Sequence, residues 1–168
     1  SGKTELLRRA HASLFWDQGR VVPVYYQFRD HEEPAALAED YLKEVLKQLL
    51  AFRRRDPLVV GRELSLGNIE AMLHEGSDPG LAGFIATHRE AKRGADAVAA
   101  LRNAASLPKY ITERSGLPVY LLFDDIDTGT AALRRKDRGA AAEFLGEACA
   151  RSFSFVASGS SETLLESG

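Results

Sequence analysis

The sequence predicts an α/β fold built on a parallel sheet, and three observations carry that prediction. Runs rich in β-branched and aromatic residues, Val21 to Phe28 (VVPVYYQF), Val119 to Asp125 (VYLLFDD) and Ser152 to Ala157 (SFSFVA), alternate with stretches of helical periodicity. The first two runs are nearly continuous in apolar character, as strands covered on both faces are. Small, basic or acidic residues cluster where helices start or strands end, at Ser1 to Thr4, Asp124-Asp125 and Ser158 to Ser161. In parallel sheets that edge is where ligands bind.

A chain of 168 residues is the size of one domain with a substantial core. Hydrophobic residues make up 45% and charged residues 27%, the profile of a folded chain rather than a disordered one. A net charge of −2 gives no general reason to expect nucleic acid or an anionic membrane as partner, though a local basic patch stays open. No apolar run is long enough to span a bilayer and none has the form of a secretory leader. The single cysteine, Cys149, cannot form an internal disulfide, so the cytoplasm is the expected compartment. His11, His31, His74 and His88 are scattered without paired spacing, which argues against zinc.

From Thr4 to about Asp17 the pattern is helical, with Leu7, Ala10 and Leu14 on one face and Leu6 widening it. Gly19 is placed to end that helix in a left-handed conformation. Val21 to Phe28 is the first strand, and Pro23 within it argues that the strand lies at an edge or that the proline precedes its paired part. After the loop Arg29 to Glu33, Pro34 suits the first turn of a helix whose stripe is Leu37, Tyr41, Val45, Leu49 and Phe52. Arg53-Arg54-Arg55 then lies at its C-terminal end, where cations favour the helix dipole and solvent.

Residues 56–117 form a long connection, expected to be a helical insertion between the first two of these strands. Leu66 to Leu73 is helical, Asp78-Pro79-Gly80 is a start signal before Leu81, Phe84 and Ile85, and Gly94 to Asp96 separates an alanine-rich stretch. Pro108 starts or kinks a further segment that stops at Gly116. Val119 to Asp125 is a buried strand closed by two acids, which are expensive to place unless something cationic receives them. Thr128-Gly129-Thr130 is expected to be a turn and Arg134 to Arg138 a charged segment. Ala141, Phe144, Leu145 and Ala148 face inward on a small-residue helix. The strand from Ser152 to Ala157 and the polar turn from Ser158 to Ser161 follow it.

Ser1-Gly2-Lys3-Thr4 matches the last part of the phosphate-binding loop G-x-x-x-x-G-K-[ST]. Gly2 would let the backbone approach a phosphate, Lys3 would reach the outer phosphates and the Thr4 hydroxyl would sit on Mg²⁺. Alone, so short a match is equally an ordinary N-terminus; for Asp124-Asp125 alone a solvated surface turn is the lesser reading. Together with the serines after the third strand they point to one sheet edge.

On these residues the chain resembles P-loop NTPases, and more narrowly the AAA+/STAND ATPases and the archaeal ATPase group. Gly2-Lys3-Thr4 is similar to the end of Walker A, and Val119 to Asp125 to Walker B. Phe155 to Ser161 resembles the family's fourth strand and polar sensor region. The resemblance implies a three-layer fold with strand order 5-1-4-3-2, of which residues 1–168 would be a partial domain holding the second, third and fourth strands. The unpaired edge of such a piece implies poor stability in isolation and weak ATP binding without the rest of the loop.

The same resemblance implies ATP and Mg²⁺ as ligands. Lys3 would bind the β- and γ-phosphates, Thr4 and Asp124 would hold the metal, and Asp125 would orient the attacking water. Ser158 or Ser160 is the sensor candidate, and an arginine finger would come from Arg134, Arg135, Arg138, Arg151 or another subunit. Asp125 stands where many relatives carry the longer glutamate, which suits a slow switch. The implied function is an ATPase that drives attached domains of the same chain, with self-association open. The alternative is a non-hydrolysing nucleotide scaffold; a small-molecule kinase is disfavoured by the paired acids.

Overall fold

The computed structural model of the chain describes residues 2–31, 33–76, 78–136, 144–148 and 155–158. It is a mixed α/β structure, richer in helix than in strand, around a three-stranded parallel sheet of order β1-β2-β3. Helix α1 (Gly2–Asp17) leads into β1 (Val22–Gln27), and α2 (Pro34–Arg54), α3 (Leu58–Gly61), α4 (Leu66–Glu75), α5 (Pro79–Arg93) and α6 (Ala97–Ser115) precede β2 (Val119–Asp124). Helix α7 (Ile126–Lys136), a helical segment at 144–148 and β3 (Phe155–Ala157) complete the described chain.

The register sets Val22 beside Val119 and Gln27 beside Asp124, and Leu121 beside Phe155. Pro23 does lie on an outer strand of the described sheet. The Val22 amide donates to the Pro118 carbonyl and the Phe28 amide to the Asp124 carbonyl, both at 2.9 Å, so even-numbered β1 amides face β2. Odd positions therefore face outward, and at Pro23 there is no N–H to leave unpaired. The next outward position is closed by the buried Gln48 of α2. Its Oε1 accepts from the Tyr25 amide at 2.7 Å and its Nε2 donates to the Tyr25 carbonyl at 2.6 Å.

The two sheet faces are covered by different helices. Val24, Tyr26, Leu121 and Phe123 pack toward α2, where Tyr26, Phe28, Tyr41, Phe123 and Phe144 form an edge-to-face aromatic cluster. Pro23, Tyr25, Gln27 and Asp124 lie on the face crossed by α1, whose Arg8 guanidinium stands 5.7 Å from the Tyr25 ring centre. Behind α2, α6 presents Ala100, Leu101, Ala104, Ala105 and Ile111, all buried; the alanines let the two helices approach closely.

The predicted stripe of α2 is buried at all five positions, and Phe144, Leu145 and Ala148 are buried as expected; Ala141 lies outside the described residues. Several expectations are corrected. Leu6 is 68% exposed, and Phe15 anchors α1 in its place. Gln18 rather than Gly19 takes the left-handed conformation (φ 47°), and its side chain donates to the Phe15 carbonyl at 2.8 Å. Pro108 does not start a helix but sits buried inside α6, which runs on to the expected stop at a left-handed Gly116. Arg53 and Arg54 do more than face solvent: Arg53 pairs with Asp78 at 2.8 Å and Arg54 reaches Glu75 at 3.5 Å. Thr128-Gly129-Thr130 belongs to α7, not to a turn. Packing overrides weak propensity there, because any Cβ at Gly129 would collide with the Phe28 ring.

Candidate functional site

The carboxyl ends of β1 and β2, the residue after β3 and the first turn of α1 meet at Asp124. This last residue of β2 is 1% exposed. Ser158 follows β3 directly; its amide donates to the Phe123 carbonyl at 2.8 Å, and the Ile126 amide donates to its carbonyl at 3.2 Å. That stitch aims the Ser158 hydroxyl at Asp124 Oδ1, to which it donates. The Asp125 amide also donates to Oδ1, at 3.1 Å. Tyr25 is paired with Leu122 and so lies on the same face as Asp124, and its hydroxyl donates to Oδ2 at 2.9 Å. The Thr4 hydroxyl, from α1, donates to the same carboxylate.

Burying a lone carboxylate is costly, and burial by itself pushes the Asp124 pKa up. The Ser158, Thr4 and Tyr25 hydroxyls and the Asp125 amide outweigh it and hold the group below its ordinary value. Each such bond to a charged group contributes about 1.5–3 kcal/mol. Asp124 is therefore a carboxylate at neutral pH. Burial, and then the bond to Asp124, push the Tyr25 phenol upward against the opposing pull of Arg8, so it stays a donor.

Asp125 differs from its neighbour in every respect. It is exposed, it takes a left-handed conformation (φ 53°), and its Oδ2 accepts from Gln27 Nε2 at 2.8 Å. Two adjacent acids thus have separate environments, one buried and hydrogen-bonded, the other open. Lys3 and Gly2 are exposed in the first turn of α1, beside Thr4. A Cβ at Gly2 would meet nothing within 4 Å, so packing inside the chain does not require glycine there.

The structure brings together Thr4, Asp124 and Ser158 directly, with Asp125 adjoining. Ser160 lies outside the described residues, as do Arg138 and Arg151; Arg134 is exposed on α7, and the Arg135 side chain is not described. Sequence reasoning missed Tyr25 and Gln27. Their signal was present: they alternate on one face at the carboxyl end of β1, and Gln27 is the polar residue in an otherwise apolar run.

An ionised carboxylate with a threonine hydroxyl beside it suits a hard cation that keeps most of its ligands as water or phosphate oxygen. Among the described residues no three His, Cys, Asp or Glu side chains are grouped as a metal site, but a hydroxyl-plus-carboxylate site needs no such group. No helix among them is long and apolar enough to cross a membrane. Compared with protein-family models, curated proteins and solved structures, the chain matches none.

Proposed function

We propose that this edge binds ATP with Mg²⁺ and hydrolyses it slowly, as a conformational switch of the P-loop type. One observation carries the reading: the Thr4 and Ser158 hydroxyls, from opposite ends of the chain, both bond the buried Asp124. That is the juxtaposition expected if Gly2-Lys3-Thr4, Asp124-Asp125 and Ser158 are parts of one nucleotide site. The strand order β1-β2-β3 supports it, since the second, third and fourth strands of a 5-1-4-3-2 sheet would be neighbours in that sequence.

Within this reading Lys3 binds the outer phosphates, and Gly2 leaves the start of α1 open to them. Thr4 and Asp124 hold the cation, whose bound charge would neutralise the phosphate oxygens. Tyr25 fixes the carboxylate of Asp124, Ser158 senses the phosphate end, with Ser160 as the second sensor candidate, and Asp125 orients water. Gln27 donates to Asp125 and so occupies one of the two oxygens that would orient water. Slow turnover follows, and a nucleotide-binding scaffold without hydrolysis is the limiting case of the same contact.

Calorimetric titration of the full-length protein with ATP, with and without Mg²⁺, tests the reading. Mg-dependent binding that Lys3→Ala abolishes is expected, with Asp125→Asn removing turnover but keeping binding. Binding indifferent to Lys3→Ala would overturn the nucleotide site, and binding without turnover in the wild type would leave only the scaffold.

A further inference from the structure

A polar cavity of about 270 Å³ lies between α1 and α2 along the outer edge of β1. Its walls carry charges of both signs, and those charges are unequally engaged. On the α2 side the acids are spent: Asp40 accepts from the Tyr26 hydroxyl at 3.1 Å and stands 3.3 Å from His31, and Glu44 pairs with Lys47 at 3.0 Å. The donors opposite are not. Arg8 makes one long bond, 3.4 Å, to Gln27 Oε1 and otherwise meets only the Tyr25 ring and hydroxyl, without an ion pair among the described residues, and Arg29 likewise has no ion pair among them. His11 lies one turn beyond Arg8 on α1, and its Nε2 is buried without a hydrogen-bond partner.

We propose that this cavity is a second binding site, for a small oxyanion, held by the Arg8 and Arg29 guanidinium groups with His11 donating from the cavity wall. A buried nitrogen without a partner is costly, and an oxyanion supplies the acceptor it lacks. Two guanidinium groups at one opening provide charge-assisted bonds to phosphate or carboxylate oxygens. Asp40 and Glu44 lower the net positive charge, so affinity is in the millimolar range rather than tighter, by roughly the arithmetic of a few weak contacts. The site shares a wall with the acid pair. Tyr25 and Gln27 line it and also bond Asp124 and Asp125, and Arg8 touches both. An anion that engages Arg8 is therefore coupled to the nucleotide edge, and the coupling is reciprocal. The coupling rests on the ATP reading; the anion site itself does not.

The test is a nuclear magnetic resonance titration of the His11 ring in the nucleotide-free chain, with inorganic phosphate in one arm and succinate in the other. Saturable shifts are expected in at least one arm, and the tighter arm identifies the anion class. Arg8→Gln and Arg29→Gln should each weaken binding at least fivefold; both residues are exposed, so the core is preserved. Arg8→Lys, which keeps the charge, should recover part of the loss, and Lys3→Ala should leave binding unchanged. Shifts that never saturate in either arm, that ignore both arginine variants, or that vanish with Lys3→Ala would overturn the site. Loss of ATP binding with the phosphate titration intact would remove the coupling alone.

Discussion

Tyr25→Phe removes one oxygen atom and leaves the rest of the ring, including the face against Arg8, in place. The deleted hydroxyl donates at 2.9 Å to a carboxylate that is 1% exposed, so a charge-assisted bond is lost without a cavity. Such bonds contribute about 1.5–3 kcal/mol. Tyr25 is half-buried, so water replaces part of the contact, and the lower half of that range applies. The expected loss is about 1.5–2 kcal/mol, or roughly 3–8 °C in melting temperature for a chain of this size. The sign of its pH dependence follows from Asp124, whose folded pKa lies below the ordinary 3.8. A depressed carboxylate contributes stability that is full above the unfolded pKa and is lost as pH falls through the folded one. The Tyr25→Phe deficit is thus full near neutrality and shrinks in acid below that value. Urea unfolding of wild type, Tyr25→Phe, Asp124→Asn and the double variant measures both the loss and the coupling. Additive effects, or a single-variant loss within about 0.3 kcal/mol of zero, would refute the account of Asp124 as the junction of these groups.

Two further substitutions probe how the fold presents this edge. Gln48→Leu strips the outward amide and carbonyl of Tyr25 of their only described partners in that direction and should cost about 2–4 kcal/mol, read by the same unfolding measurement. Gly129→Ala should cost about 1–3 kcal/mol by driving a methyl into the Phe28 ring, and Gly129→Ala combined with Phe28→Leu should recover much of it.

The α/β class, the parallel sheet and the edge position of β1 were legible because they rest on local chemistry. VYLLFD is a short apolar run closed by acids, as a covered strand is, and Pro23 lacks the N–H that an inner ladder position needs. What was not legible depends on contacts between distant segments. Nothing near Gly129 signals a helix; its place in α7 follows from Phe28, a hundred residues earlier in the chain, lying against it. Pro108 reads as the start or the kink of a helix because local rules penalise it in the interior, yet one helix, α6, runs through it with the proline buried. The site divides along the same line. Asp124-Asp125 and Gly2-Lys3-Thr4 announce themselves by composition. Tyr25 becomes visible only once the register sets β1 beside β2.

Asp124 is already supplied with donors: Ser158 and the Asp125 amide on Oδ1, Tyr25 on Oδ2, and Thr4 besides. A carboxylate so engaged gains little from a cation that merely adds to the set, because the new contact displaces a bond of comparable strength. Of the four donors, the Asp125 amide is fixed by the backbone and Ser158 is pinned through both its amide and its carbonyl. Tyr25 is held by its strand and by Arg8. Thr4, half-buried in the first turn of α1, is the donor that comes from a helix rather than from the sheet edge. On the proposed nucleotide reading, a ligand beside Thr4 and Asp124 would displace the Thr4 hydroxyl from the carboxylate. The three remaining bonds keep Asp124 ionised and aimed throughout, which is why loss of Tyr25 or Ser158 should weaken ligand binding as well as the fold.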